Sequence, residues 1–300
     1  MKVVFDQVLV LILFFALGWF LCKKNIIKDE QAGALSACVV YIFLPCTMLR
    51  TFLANFTARY LSEKYPLLLV GGAVIVGIIL LSMVLSRRMP GDGYQQGIDE
   101  YILVSPSYAY IGYELCGALF GSVPLLDMII FTIPSSLLYT YSIGYCRILG
   151  KKISLRYLIN PIIFSIFIGA GLGLSGIEIP NAFSVLLDKA AGCTGPVGMI
   201  VAGTAMARYS FREIVKDKIS YLLVAFRLVI IPASVALILR ALRLDAYVRP
   251  AVLMLATPVG TNSVVFPRMI GMECKSAASA LLLSHIACLA TIPVLVSFFC

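Results

Sequence analysis

Apolar runs about twenty residues long, separated by short connectors, dominate this sequence and limit what it can fold into. An α-helix needs about 20 residues to cross roughly 30 Å of hydrocarbon. Ten such stretches can be read, at 6–22, 33–53, 66–86, 99–120, 124–146, 157–176, 184–207, 219–241, 249–270 and 276–299. They are too long and too rich in Leu, Ile and Val for barrel strands, whose residues alternate in polarity. A soluble domain could not hide them: 61% of the 300 residues are hydrophobic and 13% charged, and surface shrinks too slowly with size. The expected fold is therefore all-α and integral to a membrane, with ten transmembrane helices. No soluble domain is expected in the short connectors. The first run lacks a small-residue cleavage site and is expected to stay in the mature chain.

The net charge of +9 invites a nucleic-acid reading, but the basic residues sit between apolar runs, where membrane topology puts them; no nucleic-acid partner is expected. Connectors 23–28, 87–88, 147–156 and 208–218, with Lys275, hold fourteen Lys and Arg, whereas the alternate set (Lys2, Arg50, Arg59, Lys64, Arg240, Arg243, Arg249) holds seven. That bias predicts a multi-pass protein of the cytoplasmic membrane with both termini outside. Nine scattered cysteines, no CxxC and a single histidine point away from a metal or cofactor site. There is no GxSxG or HExxH motif, and an enzyme is not expected.

The chain also resembles itself. Gly18 and Gly169 lie 151 positions apart in the first and sixth runs, Pro45 and Pro196 lie 151 apart in the second and seventh, and Pro106 and Pro258 lie 152 apart in the fourth and ninth. Five spans is an odd number, so two such halves, 1–150 and 151–300, would enter the membrane in opposite senses as an inverted repeat.

Spans four and nine carry the signals for chemistry. The fourth reads Ser105-Pro106-Ser107-Tyr108-Ala-Tyr110-Ile-Gly112-Tyr-Glu114, and the ninth Thr257-Pro258-Val-Gly260-Thr261-Asn262-Ser263. Pro removes an amide donor and Gly lowers the cost of unwinding. Freed backbone groups cannot face lipid, so a broken helix implies a protein-lined or wet cavity. Half-helix N-termini suit an anion and freed carbonyls a cation. The candidate substrate residues are Ser105, Pro106, Ser107, Tyr108, Tyr110, Glu114, Pro258, Gly260, Thr261 and Asn262.

Ionisable residues within spans add candidates, because a charge at mid-bilayer costs on the order of 3 kcal/mol unless partnered. Arg227 is expected to pair with a carboxylate substrate or with Glu114, the alternative being structural bonds to carbonyls. Glu114 or His285 is expected to carry a coupled proton, the alternatives being a solvated vestibule for Glu114 and an interhelical hydrogen bond for His285. Arg268 can snorkel to the interface.

Thr257-Pro-Val-Gly-Thr-Asn262, followed by a long apolar tenth span, resembles the ninth-span crossover of the auxin efflux carrier family, whose bacterial members include malate and malonate permeases. Tyr41-Ile-Phe-Leu-Pro45, Ile168-Gly-Ala-Gly-Leu-Gly173, Gly195-Pro-Val-Gly198 and Arg227-Leu-Val-Ile-Ile-Pro232 fit the same resemblance in order along the chain. It implies a five-plus-five inverted repeat, a scaffold of spans 1, 2, 6 and 7, a mobile bundle of spans 3–5 and 8–10, substrate at the crossing of spans 4 and 9, and a homodimer through the scaffold. Span 4 departs from the family's Asn-Thr-Gly and Gly-x-Pro pattern, having Ser107-Tyr-Ala and Gly112-Tyr-Glu114 instead. The expected function is secondary or facilitative transport of small organic anions by alternating access, with protons or sodium as partners. The alternatives are a sodium-coupled symporter resembling bile-acid carriers and a non-transporting membrane sensor or scaffold.

Overall fold

The computed structural model describes residues 2–152, 160–207, 209–210, 217–272 and 274–300. Arg156, Arg208, Arg212 and Lys216, counted above for orientation, lie outside the described residues, as do positions 157–159 of the sixth expected span. Among the described residues, seven helices are long and apolar enough to cross a membrane: α1 (Lys2–Lys23), α2 (Glu30–Asn55), α3 (Pro66–Ser86), α6 (Ser122–Ile148), α8 (Asn181–Met206), α9 (Lys218–Ala241) and α12 (Lys275–Phe299). A shorter apolar helix, α7 (Pro161–Ser175), accompanies them.

The fourth and ninth expected spans are each split. The fourth consists of α4 (Gly93–Val104) and, after a break, a wide π-type turn over Tyr108–Gly112 that runs into α5 (Tyr113–Phe120). The ninth consists of α10 (Val248–Leu255) and α11 (Asn262–Met269). Among the described residues there is no strand; the one β-type contact is an isolated antiparallel pairing of Pro106 with Val259.

Much of the exterior is apolar, including Leu69, Phe164, Phe167 and Phe183, each more than 60% exposed. Lipid, not water, is the solvent for such a surface. Two proline motifs explain the widened turns in long helices. A proline ring clashes with the carbonyl four residues back and supplies no amide hydrogen. Pro45 and Pro232 are each preceded by a π-type turn, Val39–Phe43 in α2 and Phe226–Ile230 in α9, which accommodates that clash without ending the helix.

Small residues set the helix pairing. A side chain at Gly18 of α1 would overlap the carbonyl of Ile200 in α8, and one at Gly169 of α7 would crowd Leu49 and Phe52 of α2. Ile200 and Leu49 are themselves 151 positions apart, so the two contacts repeat at the spacing seen in the sequence. Helices in lipid associate through such close backbone approach rather than through hydrophobic burial. The small connector helix Ala58–Lys64 is tied to α6: the Tyr60 hydroxyl donates to Asp127 at 2.5 Å and Lys64 pairs with the same carboxylate at 3.1 Å. Burial and the Asp127 carboxylate push the Tyr60 hydroxyl far above the usual tyrosine range, so it remains a donor.

Gly18→Leu is expected to abolish a monodisperse species in detergent, since overpacking against backbone costs about 1–3 kcal/mol or more. Gly33→Ala, with nothing within 4 Å of the new methyl, is expected to hold or raise the melting temperature by up to about 1 kcal/mol in stability. Size-exclusion profiles and thermal melts of the two variants check both outcomes.

Candidate functional site

The breaks in the two split spans fall at the same place in space. Ser107 N–H donates to the Pro258 carbonyl at 2.8 Å, and Gly260 N–H donates to the Ser105 carbonyl at 2.9 Å. Each broken segment therefore satisfies backbone groups that the other has lost, which an apolar interior demands. Ser284 of α12 completes the arrangement: its hydroxyl accepts the Val259 N–H at 3.0 Å. The approach is close: a side chain at 260 would stand 3.0 Å from the Ser105 carbonyl oxygen, which would have to give way by a few tenths of an ångström.

Past the crossing, two half-helices begin, at the Tyr108–Gly112 turn and at Asn262 of α11. Each starts directly after its break, with the positive end of its dipole at those first residues. Ser107 and Thr261 are each 5% exposed, and their hydroxyl oxygens are buried without a hydrogen-bond partner. Ser105 and Tyr108 are buried, and Tyr108 shares a hydrogen bond with Ser136 at 2.5 Å. Asn262 and Tyr110 are half-buried.

Beside this crossing lies an open cavity of about 1070 Å³, lined among others by Thr47, Arg50, Tyr113, Glu114, Asp188 and Thr194. Its lining includes Asn55, Ser122 and Gly176, which stand at helix ends. Pro106 and Pro258 do not line it; the cavity borders α5, just beyond the Tyr108–Gly112 turn, at Tyr113 and Glu114. Glu114 accepts the Gly195 N–H at 3.3 Å. The Gly195-Pro-Val-Gly198 motif explains the fit: a side chain at Gly195 would overlap Glu114, and one at Gly198 would stand 2.8 Å from the Tyr110 ring. Arg50 pairs with Asp188 at 2.5 Å, with both side chains about half exposed.

Arg227 does not pair with Glu114. It is fully buried and donates from Nη1 to the Leu255 carbonyl at 2.6 Å. It thus caps the C-terminus that the break in span nine exposes, as a cation suits that end of a helix dipole. Its Nε and Nη2 are buried without partners. Leu255 is distant in sequence, which is why inspection of α9 alone could not name this partner. His285 is fully buried, stacks on Phe15 of α1 at 4.7 Å between ring centroids, and places Nδ1 2.7 Å from the Leu281 carbonyl. Arg268 does not simply snorkel. Its Nη2 donates to the Ala205 carbonyl at 2.8 Å and its guanidinium lies over Tyr209 at 5.3 Å, joining α11 to the end of α8. Asp99 and Glu100, fully buried in α4, are polar groups that the sequence pattern does not single out; their placement at a run's first residues disguises them as interfacial.

Two interrupted helices that cross by backbone pairing near an open cavity, among helices long and apolar enough to cross a membrane, point to a membrane transport protein. Comparison with known proteins agrees. The family described as "Membrane transport protein" matches residues 3–296. The "Uncharacterized transporter YfdV" of Escherichia coli (strain K12) is 22% identical over 304 residues, covering 96% of this chain and 95% of that protein. Proteins of the same description from Escherichia coli O157:H7 and Shigella flexneri match equally. The chain belongs to the membrane transport protein family, the auxin efflux carriers.

Gly195→Ala is expected to evict Glu114 and cost about 1–3 kcal/mol by overpacking. Glu114→Ala in the same chain is expected to relieve most of that loss. A double-mutant cycle on melting free energies decides the point, and additive costs would mean that the two residues do not meet.

Proposed function

We propose that this protein is a secondary or facilitative carrier that moves small carboxylates across the cytoplasmic membrane by alternating access. The observation that carries the reading is the reciprocal backbone pairing of Ser105–Ser107 with Pro258–Gly260. It leaves two half-helix N-termini, each preceded by a buried, unpartnered hydroxyl, Ser107 and Thr261, and such helix starts suit a carboxylate. The cavity's own charges, Arg50, Glu114, Glu178 and Asp188, do not select an anion, so recognition rests on the crossing. Arg227 serves it indirectly by holding the broken end of α10.

Ten crossings are the reading of the ten helical or split segments, arranged as inverted halves 1–150 and 151–300. The repeated contacts of Gly18 with Ile200 and of Gly169 with Leu49 support it. On this reading α1, α2, α7 and α8 form the scaffold and the other helices the moving bundle. Both termini lie outside, so the cavity opens outward and Arg268 on Ala205 closes the inner side.

The test is uptake and exchange of labelled malonate, and of other short mono- and dicarboxylates, in proteoliposomes, with and without sodium. Saturable uptake is expected. Ser107→Ala with Thr261→Val is expected to lower kcat/KM about tenfold or more, the effect of losing roughly 1.4 kcal/mol of hydrogen bonding, at little cost in melting temperature. Uptake of amines but of no carboxylate would refute the substrate class, and absence of any flux would refute the carrier reading.

A further inference from the structure

Two adjacent acids of α4, Asp99 and Glu100, are both fully buried, yet their surroundings differ. Glu100 is compensated: Arg147 of α6 pairs with Oε2, and the Tyr139 hydroxyl donates to Oε1 at 3.2 Å. Asp99 accepts one bond, from the Gln95 side-chain amide to Oδ1 at 2.7 Å, and its Oδ2 has no partner. Around it run neutral groups and a second acid. Gln95 also donates to Ser276 Oγ at 2.6 Å, Ser220 lies 3.2 Å from the Ser276 carbonyl, and Ser220 is 2.6 Å from Asp217 Oδ2. One turn beyond Ser276 on α12, Ser279 is fully buried with its hydroxyl unpartnered.

A buried carboxylate without a counter-charge costs several kcal/mol if ionised. The basic groups on elements packed against α4 are engaged elsewhere: Arg147 with Glu100, Arg227 with the Leu255 carbonyl, and Arg268 with the Ala205 carbonyl. Among the described residues no ion pair joins Asp99 to Arg87 or Lys218, and His285 is stacked on Phe15. Lys275 opens α12, next to Ser276. The other titratable groups on these elements, Tyr94, Tyr145, Tyr221, Cys146, Cys274, Cys288 and Asp217, carry no positive charge.

We infer that Asp99 is the site at which this carrier takes up a proton: an O–H bond forms on Oδ2 as one in a hydronium ion breaks, leaving water, and the proton returns to water when the site is next wetted. The inference rests on the carrier reading above. It prefers Asp99 to Glu114, which borders the cavity and already holds an amide, and to His285, which is sealed between an aromatic ring and a carbonyl. The position suits coupling. Asp99 lies on α4, whose last residue, Val104, directly precedes Ser105, about 9 Å further along the helix axis, so the proton site and the crossing are joined by a rigid element.

Infrared spectra of the purified protein in bilayers, recorded across pH, test the site without any substrate. The wild type is expected to show the carbonyl stretch of a protonated carboxyl that fades as pH rises. Asp99→Asn and Asp99→Leu both remove it, whereas Asp217→Asn retains it; an unchanged band in either folded Asp99 variant overturns the proposal. In proteoliposomes, an inward acid gradient is expected to accelerate labelled malonate uptake several-fold in wild type and to leave Asp99→Asn unaffected, while malonate exchange persists. A gradient response surviving in Asp99→Asn also overturns it. Failure of the wild type to move malonate counts against the carrier reading, while the infrared band still decides whether Asp99 takes up the proton.

Discussion

A peptide group inside a bilayer has no water to bond, and this single constraint organises the molecule. Long helices meet it internally. Where Pro106 and Pro258 interrupt two of them, the chain meets it by crossing the interruptions, so that each lends the other a carbonyl and an amide. The residual vacancies are handled by side chains: Ser284 takes the Val259 amide, and Arg227 takes the Leu255 carbonyl. Remove the crossing, and four backbone groups lose their partners together. Polar backbone can therefore persist there without exposing itself to lipid.

The small residues serve a related end. Gly195 and Gly198 let the broken helix lie against α8 so closely that Glu114 reaches a backbone amide and Tyr110 seats its ring. In the long helices, the π-type turns before Pro45 and Pro232 absorb a misfit that would otherwise end a span. The protein thus distinguishes two uses of proline. At Pro106 and Pro258 the helix breaks, whereas at Pro45 and Pro232 the misfit only widens the preceding turn.

Much of this is legible in the sequence, because it depends on local chemistry. Apolar runs mark the long helices, and Pro beside Gly, Ser and Thr locates both breaks to within a residue or two. The partner of Arg227 is not legible, since a guanidinium on one helix and a carbonyl on another share no local pattern. The same holds for Arg268 and Ala205. Asp99 and Glu100 escape for a different reason: as the first two residues of the run at 99–120 they read as interfacial, whereas α4 starts earlier, at Gly93, and carries them inside. Boundary placement, not residue chemistry, hides them.

The cavity beside α5 has an electrical consequence. A water-filled recess reaching Glu114 from one compartment would bring that compartment's potential down to that depth, so the membrane voltage would fall across the protein between Glu114 and the far face. Displacing one elementary charge through the full drop involves about 2.3 kcal/mol per 100 mV. Most of that work would then be done over the path past Glu114, where a displacement of a few ångströms becomes strongly electrogenic.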